Sequence, residues 1–311
     1  MASERFNPLF SPTSSRPEWM FSKAVRTKSI FTTAAKDYFH ISTWLCIGGV
    51  LQALAWVLFG PVTTVPLALL LLYRVLDVLL MTTGITKNRH MEGAIRRKWG
   101  AQIPHSDGTF GPEPADEGLV VFFVGGQVNH PLGPLAPGCA DNEKYFGQIA
   151  GALENYYDKH GLLGYTQMRS TDEHSNNMSM FVMYWRDVES LHNFAHGPEH
   201  MAGLRWWSKV AAKKYPHISV FHETYIVPKG HYENIYLNCK PLGMGAIGVP
   251  INGQLQGEEK GNAENMYVRP IVDSKKGRLR TFARRVRRND MTAHEKDDND
   301  VWDNTVVEAK A

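Results

Sequence analysis

The sequence predicts an α+β fold in which a β-α-β-β-α-β unit follows a hairpin of two apolar helices. Two observations lead to this prediction. Before residue 84 the apolar residues gather in two runs of roughly 20 residues, each with few or no charges. After residue 118, short β-branched and aromatic runs alternate with segments of helical periodicity. The average composition, 43% hydrophobic and 21% charged, therefore conceals regions of very different character.

Charge and cysteine content exclude several classes of protein. The net charge of +3 is too small to indicate nucleic-acid binding. The three cysteines, Cys46, Cys139 and Cys239, are sparse and widely spaced, which argues against a disulfide scaffold or a four-cysteine zinc site. They favour a domain in a reducing compartment.

Residues 41–83 are predicted to form a two-helix membrane hairpin. Ile41–Phe59 is uncharged, and Val62–Met81 is apolar apart from Arg74 and Asp77. These two residues are three positions apart, so they can pair on one helix face. Each run can cross a hydrocarbon core of about 30 Å as a helix. A pair of buried helices in a soluble domain is the alternative interpretation.

Positive charge flanks this hairpin on both sides. The N-terminal segment, residues 1–40, and the residues after the hairpin are both basic near the apolar runs. The flanking residues are Lys23, Arg26, Lys28, Lys36, Lys87, Arg89, Arg96, Arg97 and Lys98. The positive-inside rule then places both ends in the cytosol, with the turn across the membrane. We therefore expect a protein of the endoplasmic reticulum membrane whose soluble domain faces the cytosol.

Residues 84–117 are expected to be a linker, and residues 118–240 to form the soluble domain. The predicted elements are strand Leu119–Val128, helix Asn142–Lys159 with Asp141 as N-cap, strands Leu162–Ser170 and Met178–Trp185, helical region Val188–Lys214, and strand Ile218–Val227. Pro198 interrupts the second helical region. This order is ferredoxin-like, with both helices on one face of a four-stranded sheet. A homodimer that pairs the open faces would close an α/β barrel.

Residues 241–311 are predicted to form a largely disordered tail, because charge is high and aromatic residues are few. Segment 275–288 differs, since it carries eight Lys/Arg residues with apolar residues at helical spacing. It is either a basic amphipathic helix on an anionic membrane surface or a solvated charge run. Nucleic acid is disfavoured as a partner because no aromatic residues for base stacking are interleaved.

Histidines concentrate around the break in the second helical region. His192, His196 and His200 are four residues apart, which on one continuous helix would align three imidazoles for a metal. The Gly197-Pro198 step breaks that alignment, so no metal site is predicted. His196 and His200 flank the break and are candidate catalytic bases lining a pocket.

The remaining site candidates follow from chemistry and strand alternation. Glu223 is a third candidate base, because burial among aromatic residues would raise its pKa, and Arg205 could stabilise an oxyanion. His222 faces opposite to Glu223 and Tyr225, so either His222 or that pair faces the pocket. The predicted substrate-binding residues are Trp185, Trp206, Trp207, His222 and Tyr225.

Several motifs carry a family resemblance. They are Tyr184-Trp-Arg186, Leu191-His-Asn-Phe-Ala-His-Gly-Pro-Glu-His200, Trp206-Trp207, Pro216-His-Ile218 and His222-Glu-Thr-Tyr225. This combination resembles a fungal family of membrane-associated relatives of the antibiotic-biosynthesis monooxygenases, typified by the oxygenase of the fumagillin pathway. The resemblance covers roughly residues 40–240. It implies a dimeric α/β-barrel monooxygenase of secondary metabolism, acting on a small lipophilic terpenoid or polyketide alongside other pathway enzymes.

The resemblance also bears on cofactors. The wider superfamily includes oxygenases without metal or flavin, in which a substrate carbanion reacts with O₂ itself, so no cofactor is expected. An unactivated substrate would instead require a haem or another oxidant, with a histidine as iron ligand. Two alternatives therefore stay open: a haem-dependent lyase or oxidase of the same fold, and a non-catalytic membrane protein that binds a hydrophobic ligand or scaffolds partner enzymes.

Overall fold

The computed structural model describes residues 5–14, 40–170, 178–251 and 266–287. The chain separates into two compact units. In the smaller unit, helices α1 (Ile41–Phe59) and α2 (Val65–Thr82) are joined by a 3₁₀ turn at Pro61–Thr64. No residue of either helix is buried within the described protein, and both are long and apolar enough to cross a membrane. The predicted pair of apolar helices is therefore confirmed.

The charge near the end of α2 has a different partner from the one predicted. Both carboxylate oxygens of Asp77 accept hydrogen bonds from the guanidinium of Arg89, one of them at 2.9 Å. Arg89 begins a 3₁₀ turn, so the chain after α2 folds back towards the helix. The predicted pairing of Asp77 with Arg74 is corrected, because a bidentate guanidinium contact fits the carboxylate better than a neighbour on the same helix.

The larger unit contains a four-stranded antiparallel sheet, with strand order β3-β4-β2-β5. Its strands are β2 (Leu119–Val128), β3 (Leu162–Arg169), β4 (Ser179–Trp185) and β5 (Ile218–Val227). The two central strands are the first and third of the β-α-β-β-α-β unit. Val120 lies opposite both Trp185 and Ile226, which fixes the register across the sheet. This is the ferredoxin-like order, and the predicted fold class is confirmed.

Helices cover one face of this sheet. They are α3 (Cys139–His160), α4 (Val188–Ala195) and α5 (Pro198–Trp206), and α5 continues through a π turn at Trp207–Ala211 to Lys214. The first of them begins at Cys139 and not after the predicted N-cap, Asp141. Its N-cap is Gly138, at φ 84°, where a Cβ would meet the Tyr215 ring at 2.4 Å. Only glycine fits that approach at a left-handed φ.

The other face of the sheet is partly covered by the same chain. Strand β1 (Ile95–Ala101) joins β6 (Tyr236–Cys239) and β9 (Ile271–Asp273) in a three-stranded sheet. Residues around this second sheet pack against one end of the first. That cluster contains Ala101, Ile103, Leu119, Leu163, Met244, Ile247 and Val249. The expectation that residues 84–117 are a linker is wrong for β1, because Trp99 is fully buried and stacks on Tyr236 at 4.0 Å.

The opposite end of that face is not covered by any of the described residues. Glu223 and Tyr225 on β5 are exposed there, and Phe123 and Phe221 are half-buried. The homodimer with paired sheets remains a prediction, and this open end is the surface that it would use. The chain's own covering of the other end restricts such pairing, because residues already packed there are unavailable to a second copy.

Part of the predicted disordered tail is folded. Strand β7 (Val249–Ile251) pairs with β8 (Met266–Val268), and β9 pairs with β1. Segment 275–288 is not a free amphipathic helix within its described part, since it forms a 3₁₀ turn at Gly277–Leu279 and the short helix α6 (Phe282–Arg285). Leu279 and Ala283 are 1% exposed. Two of the apolar side chains that suggested a membrane-binding face therefore pack in the protein core, whereas Phe282 is exposed.

Candidate functional site

The predicted break separates α4 from α5 and gives its two flanking histidines different surroundings. His196 ends α4: its backbone N–H donates to the His192 carbonyl at 3.1 Å, and its ring Nδ1 lies 2.9 Å from the same oxygen. Its ring is exposed, 4.2 Å from that of His192. Pro198 then opens α5 in the first-turn position that proline favours. His196 therefore serves as a helix cap in this structure.

His200, in contrast, points into the protein. Its Nδ1 atom is buried and has no hydrogen-bond partner among the described residues. Burial lowers the pKa of His200, the nearby imidazoles of His222 and His196 lower it further, and a hydrogen bond with the Ala195 backbone opposes them. The imidazole is therefore neutral at pH 7, the state in which a histidine can accept a proton. A buried polar nitrogen without a partner calls for an explanation, and a substrate is one.

His222 belongs to the same site. It lies opposite Val124 in the β2–β5 register, and Val124 packs in the core beneath the helices. Its ring centroid is 5.6 Å from that of Phe122, on the same side of the sheet. The charge of its imidazole is one of the causes that lower the pKa of His200. Of the two arrangements that strand alternation allowed, the structure places His222 on the helix-covered face.

Aromatic rings also lie along α3, α5 and the π turn that continues α5. Tyr145 stacks on Trp206 at 5.0 Å, and Trp206 meets Trp207 edge-on at 6.4 Å. The helices approach closely because Gly203 has no side chain, and a Cβ there would lie 3.1 Å from Ile149 Cδ1. The result is an indole- and phenol-rich wall between helices and sheet, suited to an apolar ligand with few polar groups.

The structure does not bring the other candidates to this place. Glu223 and Tyr225 lie on the opposite sheet face, where the tyrosine hydroxyl donates to the carboxylate and the pKa of Tyr225 is raised by that hydrogen bond. Arg205 is exposed, and five residues separate it from His200, about 140° around the helix. Trp185 is fully buried in the core against Phe194, and its contact with substrate remains a prediction.

Sequence reasoning missed part of the aromatic lining. Phe146 on α3 packs 5.5 Å from Phe181 on β4, and Phe122 meets His222. The sequence shows that these residues belong to amphipathic helices and strands. Periodicity alone does not show which strand packs against a given helix. Among the described residues, no group of three or more His, Cys, Asp or Glu side chains could hold a metal ion.

The helix that leads to the histidine site starts at a side-chain cap. The Asp187 carboxylate accepts a hydrogen bond from the Ser190 backbone N–H at 2.7 Å. Replacing Asp187 with Ala should lower the free energy of unfolding by about 1 kcal/mol, and Asp187→Ser should recover most of it. Urea unfolding of the three proteins measures both values. An Asp187→Ala protein as stable as its parent would show that the cap is unimportant.

The fold and the site together define a class: a ferredoxin-like α+β enzyme with a neutral, buried histidine between sheet and helices. The family described as Monooxygenase af470-like matches residues 119–244, which include both imidazoles. Monooxygenase af470 of Aspergillus fumigatus is 34% identical over 288 residues, 92% of this chain and 99% of that protein. The chain belongs to the Monooxygenase af470-like family, and it is a monooxygenase.

Solved structures share the fold at low identity. A crystal structure of an aldoxime dehydratase with butyraldoxime is 15% identical, covering 41% of this chain and 36% of that one, with a TM-score of 0.34. A structure of SnoaB, a cofactor-independent oxygenase from Streptomyces nogalater, is 16% identical, covering 35% of this chain and 91% of that one, with a TM-score of 0.24. Likeness at this level carries no argument about cofactor or substrate.

Proposed function

We propose that this chain is a membrane-anchored monooxygenase that oxidises a small lipophilic intermediate, a terpenoid or polyketide, in secondary-metabolite biosynthesis. The observation that supports this most is His200, whose buried Nδ1 lacks a partner among the described residues and whose ring meets that of Phe194 edge-on at 6.1 Å. Its lowered pKa keeps the ring neutral. A neutral imidazole in an apolar site can remove a proton from a substrate carbon.

The reaction can proceed without an outside reductant if the substrate has an activated methylene. His200 removes one proton, the carbanion adds to O₂, and the resulting hydroperoxide loses water to leave a carbonyl. One oxygen atom enters the product and the other leaves as water, so the methylene supplies both electron pairs. We assign His200 as the base and His222 as the second imidazole, whose ring N–H can donate a hydrogen bond to the developing negative charge. Glu223 lies on the opposite face of the sheet, Arg205 is exposed, and the exposed ring of His196 is held at the end of α4.

The apolar hairpin supports the membrane part of the proposal. Its helices expose almost all of their apolar side chains, including Leu45, Val57 and Leu71. Helices that are apolar on all sides are stable in lipid and unfavourable in water. The basic flanking residues favour the cytosolic side of the endoplasmic reticulum. An anchored enzyme would take its substrate from the bilayer, where lipophilic intermediates partition.

Isotope labelling in the producing fungus tests the substrate class. Deleting the gene should cause one lipophilic precursor to accumulate, and membranes with the restored protein should convert it under ¹⁸O₂ with one labelled oxygen in the product and one in water. An unchanged small-molecule profile, or conversion without ¹⁸O incorporation, would contradict the proposal. Family membership already decides against a non-catalytic scaffold.

A haem-dependent reaction is the second candidate, because the same feature of His200 favours it. An axial ligand needs one imidazole nitrogen without another partner, which His200 offers among the described residues. The absorption spectrum of the purified protein separates the two. We expect no Soret band and full turnover after dialysis against a chelator. A Soret band that disappears in His200→Ala would establish the haem alternative.

A further inference from the structure

The turn of the apolar hairpin has no features of a loop that faces water. Between His40 and Arg74 the chain contains no Asp, Glu, Lys or Arg. Phe59 and Val62 at the turn are 71% and 65% exposed. A loop on the far side of a membrane would place these side chains in solvent. We infer that the hairpin enters the bilayer from one leaflet and turns back within the hydrocarbon core, an inference that rests on the proposed membrane anchoring.

The length of the second leg supports this depth. The bidentate pair of Asp77 with Arg89 is ionic and exposed, so it belongs at the membrane–water boundary. The helix and its 3₁₀ turn span about 25 Å from Asp77 to Pro61. They span about 20 Å from Tyr73 to Pro61. The hydrocarbon core is about 30 Å thick. The leg therefore ends about 5 Å short of the far boundary in such a core, and about 2 Å short in the thinner endoplasmic reticulum core of about 27 Å, before any tilt is considered.

The turn also satisfies its own polar groups, as backbone in lipid must. The Thr63 hydroxyl donates to the Gly60 carbonyl at 3.0 Å, and the Thr64 hydroxyl donates to the Pro61 carbonyl at 2.7 Å. From the other leg, the Gln52 amide donates to the Thr63 hydroxyl oxygen at 3.2 Å.

The backbone at the turn follows the same pattern. The Gly60 N–H donates to the Trp56 carbonyl at 2.8 Å. Pro61 and Pro66 have no N–H to satisfy, and they stand in the first turns of the 3₁₀ and α-helical segments, where N–H groups lack helical partners. A water-exposed turn has no need of this arrangement, whereas one in hydrocarbon does.

Cysteine accessibility in sealed microsomes tests the inference. Cys46, Cys139 and Cys239 are replaced by Ala, and a single cysteine is placed at Val62 in the turn or at Thr86 on the basic flank. We expect a membrane-impermeant maleimide to label Thr86→Cys in intact vesicles. Val62→Cys should stay unlabelled both in intact vesicles and in vesicles opened to the lumen by pores, and should react only after detergent solubilisation. Carbonate extraction reports on membrane integration separately.

The outcomes separate the two proposals. Labelling of Val62→Cys on opening the lumen, with the protein still in the carbonate-resistant pellet, would overturn the one-leaflet insertion and leave the anchoring intact. Release of the protein by carbonate would overturn the anchoring and the insertion together. A second variant gives an independent measurement: Val62→Lys should reduce the carbonate-resistant fraction severalfold, and Thr86→Lys should leave it unchanged. Equal fractions for both lysine variants would contradict a buried turn.

Discussion

Replacing His200 with Gln should lower kcat for oxygenation by about 10²–10⁴-fold, the usual range for loss of a general base. The amide keeps a polar group of similar reach but cannot accept the substrate proton. KM should change little, because the aromatic wall of Tyr145, Trp206 and Trp207 remains. Single-turnover measurements with the precursor identified by gene deletion give both values. Full turnover by the His200→Gln enzyme would show that His200 is not the base.

The pH dependence of kcat/KM in the parent enzyme should report the ionisation of His200. His200 has a pKa below its ordinary value of 6.5, first because of burial. As a base it works in the neutral form, so kcat/KM should stay level below pH 6.5 and fall only as pH drops through the lowered pKa. The stability linkage has the same sign: the unfolded chain takes up this proton at higher pH, so folding weakens as pH falls below 6.5.

Glu223→Gln is the matched control for the base assignment. Glu223 lies one residue from His222 on β5, yet its side chain is exposed on the opposite sheet face, bonded to Tyr225. We expect turnover within about twofold of the parent, because this side chain lies on the face opposite His222. The protein should also stay folded, since surface substitutions of this kind change stability by about 0.5 kcal/mol or less. A loss as large as that of His200→Gln would mean that the open sheet face, and not the helix-covered face, holds the chemistry.

Replacing Arg285 with Met should lower the free energy of unfolding by about 3–5 kcal/mol, the usual cost of removing one partner of a buried ion pair. The Arg285 side chain is 9% exposed and pairs with Glu233, which is 21% exposed. Its Nη1 also donates to the Leu279 and Arg280 carbonyls, both at 3.1 Å. The substitution therefore leaves a carboxylate and two carbonyls without their donor.

Arg284 provides the control for this experiment, because it is the adjacent residue, carries the same side chain and is exposed. Arg284→Met should change the unfolding free energy by about 0.5 kcal/mol or less. Urea unfolding monitored by tryptophan fluorescence gives both values. Equal, small effects for the two substitutions would indicate that segment 275–288 is the solvated charge run that its sequence also allowed.

The parts of the fold that the sequence predicted are those with a local physical cause. Gly197-Pro198 ends one helix and begins another because proline cannot continue a helix, whatever surrounds it. The strands were visible because each is a short β-branched or aromatic run between turn residues. The sequence could not predict which side chains of β5 lie under the helices, because alternation defines two faces of a strand and does not show which one the helices cover. The register that decides it joins His222 to Val124, almost a hundred positions earlier.

The second sheet could not be predicted for a related reason. Trp99 on β1 lies opposite Asp273 on β9, and Arg97 binds the same aspartate at 2.6 Å. Each strand is short, and the partners are far apart in the chain, so neither shows a pattern without the other. The basic character of segment 275–288 obscured Leu279 and Ala283, which are packed in the core. His200 and His222 were named from the sequence and remain the proposed site, but the placement of Glu223 on the other face of the sheet was not predicted.

The pairing of β1 with β9 has a practical consequence for anyone producing the soluble part. Cutting the chain at residue 240, where the sequence suggested that the domain ends, would remove a neighbouring strand from β1 and uncover Phe110, whose buried cluster partners all follow residue 240. An unpaired strand beside exposed apolar surface is a template for aggregation. The smallest piece expected to stay in solution therefore extends from residue 95 to at least residue 287. It also needs the N-terminal residues around Leu9, whose backbone N–H donates to the Ile271 carbonyl at 2.9 Å.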